Sequence, residues 1–280
     1  MPDTHPPTSP ASLPADAGAW SGADVTVDFD ATVAVAVVTL RRPPHNLLTE
    51  PALRSVADAL EQLAGRARAA VLCSEGRSFC AGADFRAGDA PDPTDESGFA
   101  QTTGAFYEQA ARVFASPVPV VAALQGAAIG AGAGLALACD VRVFGERGWF
   151  QTNFVRLGIH PGFAMTLTLP KFVGPGRAAD LFLTGRRVDA SEALRIGIAD
   201  KVVPEGEELR AALEIAGQIA KGAPLAVAAT RSTLRAGLVE QARSAMSHEL
   251  QEQTRLAGTV DAIEGVQAML EGREPLFGGR

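Results

Sequence analysis

The sequence predicts an α/β fold, and three observations carry that prediction. Short apolar runs rich in β-branched residues recur at 33–40, 69–73, 119–124 and 141–144, as buried strands do. Segments with helical patterning stand between them. The alternation of strand and helix is the pattern of a sheet joined by crossovers.

The elements follow in chain order. Residues 1–22 hold Pro2, Pro6, Pro7, Pro10 and Pro14 among Ala, Ser and Asp. Such a segment buries little and is expected to be a disordered tail. The strand at 33–40 is ended by Arg41-Arg42-Pro43-Pro44. Leu53, Val56, Leu60 and Leu63 then recur at spacings of three and four, with Thr49 as N-cap and Pro51 in the first turn. The strand at 69–73 leaves through Ser74-Glu75-Gly76. Residues 86–98 carry Gly88, Pro91, Pro93, Gly98 and several acids, and are expected to form a solvated loop. A helix is expected over 99–115 with Phe106, Ala110, Val113 and Phe114 inward, then the strand at 119–124. A glycine-rich segment, 126–134, leads into a helical stretch at 135–139 and the strand at 141–144. From about 205 the text is helical, at 206–221, 224–238 and 240–258, broken at Gly222-Ala223-Pro224. The expected division is a tail at 1–22, an α/β core at 23–205 and a helical C-terminal region at 206–280.

Composition removes several function classes. The chain has 280 residues and a formal net charge of -7, which disfavours nucleic acid and anionic membrane surfaces as partners. No apolar run is long enough to span a bilayer. The N-terminus has neither a basic n-region nor an apolar h-region, so a cytoplasmic location is expected. Cys73, Cys80 and Cys139 sit in apolar text with no CxxC spacing, as small core residues do. No His/Cys/Asp/Glu group has metal-ligand spacing, so no metal is expected.

Two segments carry candidate chemistry. In Phe79-Cys80-Ala81-Gly82-Ala83-Asp84, small residues flank a glycine, so the backbone can come close to a ligand. In the glycine-rich 126–134, backbone N–H groups at a helix start lack partners and carry the positive end of the dipole. Two such amides together could hold an oxygen that gains negative charge. No Gly-Lys-Ser/Thr follows, and the dinucleotide spacing fits poorly. An oxyanion site, tight packing and phosphate binding stay open on the residues alone.

Several ordered motifs resemble the enoyl-CoA hydratase/isomerase (crotonase) family. They are Ser78-Phe79-Cys80-Ala81-Gly82-Ala83-Asp84-Phe85, the run from Pro117 through Gly126 to Cys139-Asp140, Pro175-Gly176-Arg177 to Ala190, Ala193 to Val203, and Glu264-Gly265-Val266 to Phe277. The resemblance covers about residues 25–280. It implies a spiral of ββα units with a helical C-terminal trimerisation region, assembled as a homotrimer or dimer of trimers. It implies an acyl-CoA substrate, with coenzyme A as part of the substrate and no separate cofactor. It implies that the thioester oxygen is held by the backbone N–H groups of Ala81 and Ala131. Ala83, Asp84, Gly130, Gly134 and Phe154 then border the substrate. Arg41 and Arg42 are candidates for the nucleotide phosphates, with a solvated strand end as the alternative.

The chain departs from the family where the resemblance implies catalytic carboxylates. Those two positions hold Gly134 and Phe154, and the position of a third carboxylate, used by the 4-chlorobenzoyl-CoA dehalogenase branch, holds Gly162. Removing a proton alpha to a thioester needs a base. His160 is one candidate, against a loop His bonded to backbone, and Asp84 is another, against a helix cap. Tyr107 and Glu108 lie on a helix that lines the acyl pocket in the family, against solvent or packing roles. Alternatively the enolate forms by loss of CO₂ from a malonyl-type thioester, with Phe154 in a dry pocket. A non-catalytic acyl-CoA-binding protein is the third reading.

Overall fold

The computed structural model describes residues 20–84 and 96–280. Most of the expected tail, and residues 86–95 of the expected loop, lie outside these. In chain order the elements are β1 (Trp20–Ser21), β2 (Val25–Asp30), β3 (Val35–Leu40), α1 (Glu50–Glu61), β4 (Ala69–Ser74), α2 (Glu96–Phe114), β5 (Val120–Leu124), β6 (Ala127–Ile129), α3 (Ala131–Ala138), β7 (Val141–Gly145) and β8 (Trp149–Gln151). A 3₁₀ turn at Asn153–Leu157 precedes α4 (Met165–Val173), α5 (Pro175–Thr184), β9 (Arg187–Asp189), α6 (Ala190–Ile196) and β10 (Lys201–Val203). Four helices close the chain: α7 (Glu208–Lys221), α8 (Pro224–Leu234), α9 (Leu238–Ala257) and α10 (Val260–Glu271).

The strands form two sheets. The larger has the order β1-β2-β3-β4-β5-β7-β10, and the smaller has the order β6-β8-β9. From β3 to β10 the larger sheet is parallel, while β1, β2 and β3 pair antiparallel. After β5 the chain steps sideways into β6, then into α3; after β7 it steps into β8 and then into helices. Each such turn is a ββα unit, so the chain winds as a spiral with the two sheets as its walls.

The expected strands and helices appear with several shifts of their bounds. The tail ends earlier than expected, because Trp20–Ser21 pairs with β2 at Trp20↔Val27 and Ser21↔Thr26. The helix expected from 99 starts at Glu96. The helix expected from 135 starts at Ala131, because small residues let its first turn pack completely buried. The core also continues past residue 205: Ala211, Ala212, Ala216 and Ala220 of α7 pack on Val35, Val71, Val121 and Val143 of the sheet. Alanines on that helix face let it lie close to the sheet, where burial of apolar area stabilises both. Thr49 caps α1 as the sequence predicts, accepting from the Ala52 N–H at 3.3 Å. All three cysteines are free and buried.

Candidate active site

Two loops come together where the two sheets meet. Residues 79–80 are joined to the stretch leading through β6: Phe79 N–H donates to Gln125 O, Cys80 N–H to Ala127 O, and Ile129 N–H to Cys80 O. A β-carbon on Gly132 would stand 2.1 Å from Cys80 O, so only glycine allows the first turn of α3 to sit this close. The loop's other side is joined to Leu48, whose N–H donates to Gly82 O and whose carbonyl accepts from Asp84 N–H. The result is a fixed strip of backbone beside the N-terminus of α3.

The strip leaves particular N–H groups over. Ala81 N–H donates to His45 O at 2.9 Å. It is therefore committed to the fold, and its expected role as oxyanion donor is corrected. Ala83 bridges Leu48 in parallel register, a geometry in which the N–H of residue 83 points away from Leu48. No acceptor for it exists among the described residues. Ala131 is the first residue of α3, so its N–H has no intrahelical acceptor and stands at the positive end of the helix. Gly130 at the cap donates to Gln151 O at 3.0 Å and holds the helix start in place.

Ala83, Gly130 and Ala131 all border one cavity of about 1040 Å³. Its wall includes Ile129, Phe154, Leu157, Ile159 and Phe163, with Phe99, Phe106 and Tyr107 from α2. Helix α10 closes one side with Ile263, Val266 and Leu270. The lining is mostly apolar, as ligand cavities are. Among the described residues its three carboxylates, Glu50, Asp84 and Glu271, each pair with an arginine: Arg54, Arg42 and Arg273.

The expected site residues fare differently. Phe154 and Asp84 line the cavity; residues 85–95, which would include any helix that Asp84 starts, lie outside the description. Gly134 does not line it. The place of a side chain there is filled by Phe163, whose β-carbon would be 2.5 Å from an added one. His160 does not line it either, although Ile159 and Gly162 do. Its Nδ1 lies 2.7 Å from Pro161 O, and its ring meets the His248 ring edge-on at 5.8 Å. The His160 ring thus turns to the α9 side of the loop rather than to the cavity. Arg41 pairs with Glu75, and Arg42 binds Leu47 O and Asp24, so these side chains hold the fold at the strand end. Among the described residues, the arginine that does border the cavity is Arg77, whose Nη2 lies 3.2 Å from His45 Nε2. Glu108 pairs with Arg243 at the surface.

Sequence reasoning missed the polar backing of the cavity. Tyr107 O–H donates to Gln253 Oε1 at 2.8 Å, and Gln253 Nε2 donates to His160 O at 2.7 Å. Burial, reinforced by the charge of Glu249, pushes the Tyr107 phenol well above its ordinary value. Behind the wall, Glu249 accepts from Ala164 N–H at 2.8 Å, Thr166 N–H at 3.1 Å and Thr166 Oγ1 at 2.6 Å. Burial pushes its carboxyl up, against those hydrogen bonds. It anchors the turn in which Phe163 and Ala164 both have positive φ, 61° and 54°. Local text carries no signal for these partners, which come from α9 some ninety residues later.

A family model described as enoyl-CoA hydratase/isomerase matches residues 30–280. The chain is 35% identical over 257 residues to a Rhodobacter capsulatus protein named "Probable enoyl-CoA hydratase", covering 91% of this chain and 98% of that one. It is 35% identical over 250 residues to the 2,3-dehydroadipyl-CoA hydratase of Escherichia coli, covering 88% and 96%. The crystal structure of an enoyl-CoA hydratase/isomerase from Pseudoalteromonas atlantica superposes with a TM-score of 0.79 at 28% identity, covering 91% of this chain and all of that one.

Proposed function

The chain belongs to the enoyl-CoA hydratase/isomerase family, and we propose that it binds an acyl-CoA thioester with the carbonyl oxygen between the N–H groups of Ala83 and Ala131. The observation that carries this reading is the pair of backbone donors, without acceptors among the described residues, on one apolar cavity. Negative charge that develops on the thioester oxygen is stabilised there by preorganised dipoles in low dielectric. The methyl groups of both alanines leave the N–H groups in place.

The enolate has to be generated, and among the described residues each carboxylate on the cavity is paired with an arginine. Position 134 is filled by Phe163, and position 154 is itself Phe. This favours, as the second reading, loss of CO₂ from a malonyl-type acyl-CoA. The bond between the alpha carbon and the carboxylate breaks, and its electron pair becomes the enolate whose oxygen lies on the two N–H groups. The alpha carbon then takes a proton from solvent. An apolar wall favours departure of a charged carboxylate as neutral CO₂. On α8, Leu225 and Leu234 are exposed and no residue is buried, which supports a homotrimer or dimer of trimers as the assembled form.

The test is mass spectrometry after incubation with crotonyl-CoA, a 3-enoyl-CoA and methylmalonyl-CoA, each against a control without protein. Propionyl-CoA from methylmalonyl-CoA, lost in Ala131→Pro, is the expected result. Hydration or isomerisation of the enoyl-CoA substrates instead overturns the decarboxylation reading and keeps the oxyanion site. Tight binding with no product makes the chain an acyl-CoA-binding protein.

A further inference from the structure

Resting on the acyl-CoA reading above, we infer that Tyr107 and Gln253 select an acyl chain carrying an uncharged oxygen, as a hydroxyl or keto group, over a plain alkyl chain.

Both side chains line the cavity and both are more than nine-tenths buried. They meet at Gly162. A β-carbon there would stand 2.0 Å from the Tyr107 hydroxyl and 2.8 Å from Gln253 Nε2. The bare backbone of Gly162 therefore makes room for two polar atoms in a wall otherwise built from Phe106, Phe154, Ile159 and Phe163.

The hydrogen-bond inventory leaves spare capacity. The orientation of the Gln253 amide follows from its partners: His160 O can only accept, so the nitrogen faces it and Oε1 faces the Tyr107 hydroxyl. One of the two Nε2 hydrogens is used by His160 O. The other has no acceptor among the described residues, and Oε1 retains a lone pair. A buried amide with an unused donor costs free energy until something accepts from it. A ligand oxygen supplies that acceptor, and a methylene does not. Thr103, one helical turn before Tyr107, also borders the cavity.

Charge decides between kinds of oxygen. Among the described residues, Arg77 is the one arginine or lysine that lines the cavity, and it is exposed, whereas the pair is buried. The charge close to the pair is that of Glu249, which acts on the Tyr107 phenol. A carboxylate tip would face the Glu249 carboxyl with no arginine or lysine beside it among the described residues but the exposed Arg77. A hydroxyl or keto group meets no such penalty.

The experiment measures dissociation constants for butanoyl-, hexanoyl- and octanoyl-CoA, their ω-hydroxy and keto analogues, and adipoyl-CoA. At one chain length or more, an oxygenated chain should bind about tenfold more tightly than the alkyl chain, the worth of one buried hydrogen bond. Adipoyl-CoA should bind more weakly than the hydroxylated hexanoyl chain. Gln253→Leu and Tyr107→Phe should each bring the ratio toward one while alkyl-CoA affinity changes by less than about threefold. A ratio near one at every length in the wild type overturns the inference, as does a preference that survives in both variants. Alkyl-CoA binding without preference sinks this inference alone. Failure of every acyl-CoA to bind sinks the acyl-CoA reading as well.

Discussion

The ring of Phe163 stands where a side chain on Gly134 would go: an added β-carbon would lie 2.5 Å from the β-carbon of Phe163 and 2.6 Å from its Cγ. Phe163 is buried and holds a φ of 61°, which a non-glycine residue adopts at a cost. The two positions are therefore coupled.

Gly134→Glu should destabilise the protein by about 3 kcal/mol, because overpacking adds to a buried charge. In the Phe163→Gly background the same change should cost less by about 1–3 kcal/mol, the range expected for residues in contact. Urea denaturation of the two single variants and the double variant measures the coupling. Simple additivity would show that the ring and position 134 do not share space.

The two alanines at 81 and 83 should respond differently to proline. Ala81→Pro removes the 2.9 Å bond to His45 O and should cost about 1–3 kcal/mol of stability. Ala83→Pro removes an N–H that bonds nothing among the described residues, so stability should change little. It should lower turnover of the protein's acyl-CoA substrate about 10²–10³-fold, as loss of one oxyanion donor does. Melting curves and steady-state rates on both variants test the pair, and the reverse ordering would restore Ala81 as the donor.

His160→Ala should leave kcat/KM within about a factor of two, since truncation away from reacting atoms has small effects. The ring is engaged with Pro161 O and His248 on the far side of the loop. A loss of about 10² or more, the worth of a general base, would put the imidazole in the reaction.

These contrasts also show what the sequence made legible. The strands, the capped α1 and the glycine-rich start of α3 were readable, because burial patterning, Thr49 and small residues are local signals. The small sheet of β6, β8 and β9 was not, since three-residue strands are too short for periodicity. The donor at 83 rather than 81 depends on which N–H groups Leu48 and His45 leave unused, a fact of pairing register. Gln253 and Glu249 reach the site from α9, and nothing in their own helix announces it.

The thiols give a pH test. Burial pushes Cys80 and Cys139 up to about 12, from an ordinary value of 9.0. The stability linked to these thiols is full below pH 9.0 and is lost as pH rises toward about 12, because only the unfolded chain ionises them there. At mildly alkaline pH a thiol reagent should label neither residue in the native protein and both in denaturant. Rapid native labelling of either, read by peptide mass spectrometry, would contradict their burial.

The most direct measurement of the central claim is the infrared carbonyl band of a ¹³C-labelled butyryl-CoA thioester bound to the protein. Two N–H donors on the oxygen weaken the C=O bond. The account predicts a shift to lower wavenumber on binding, reduced in Ala83→Pro and in Ala131→Pro while Ala81→Gly retains it. A bound thioester whose carbonyl band stays at its solution position would contradict the oxyanion site.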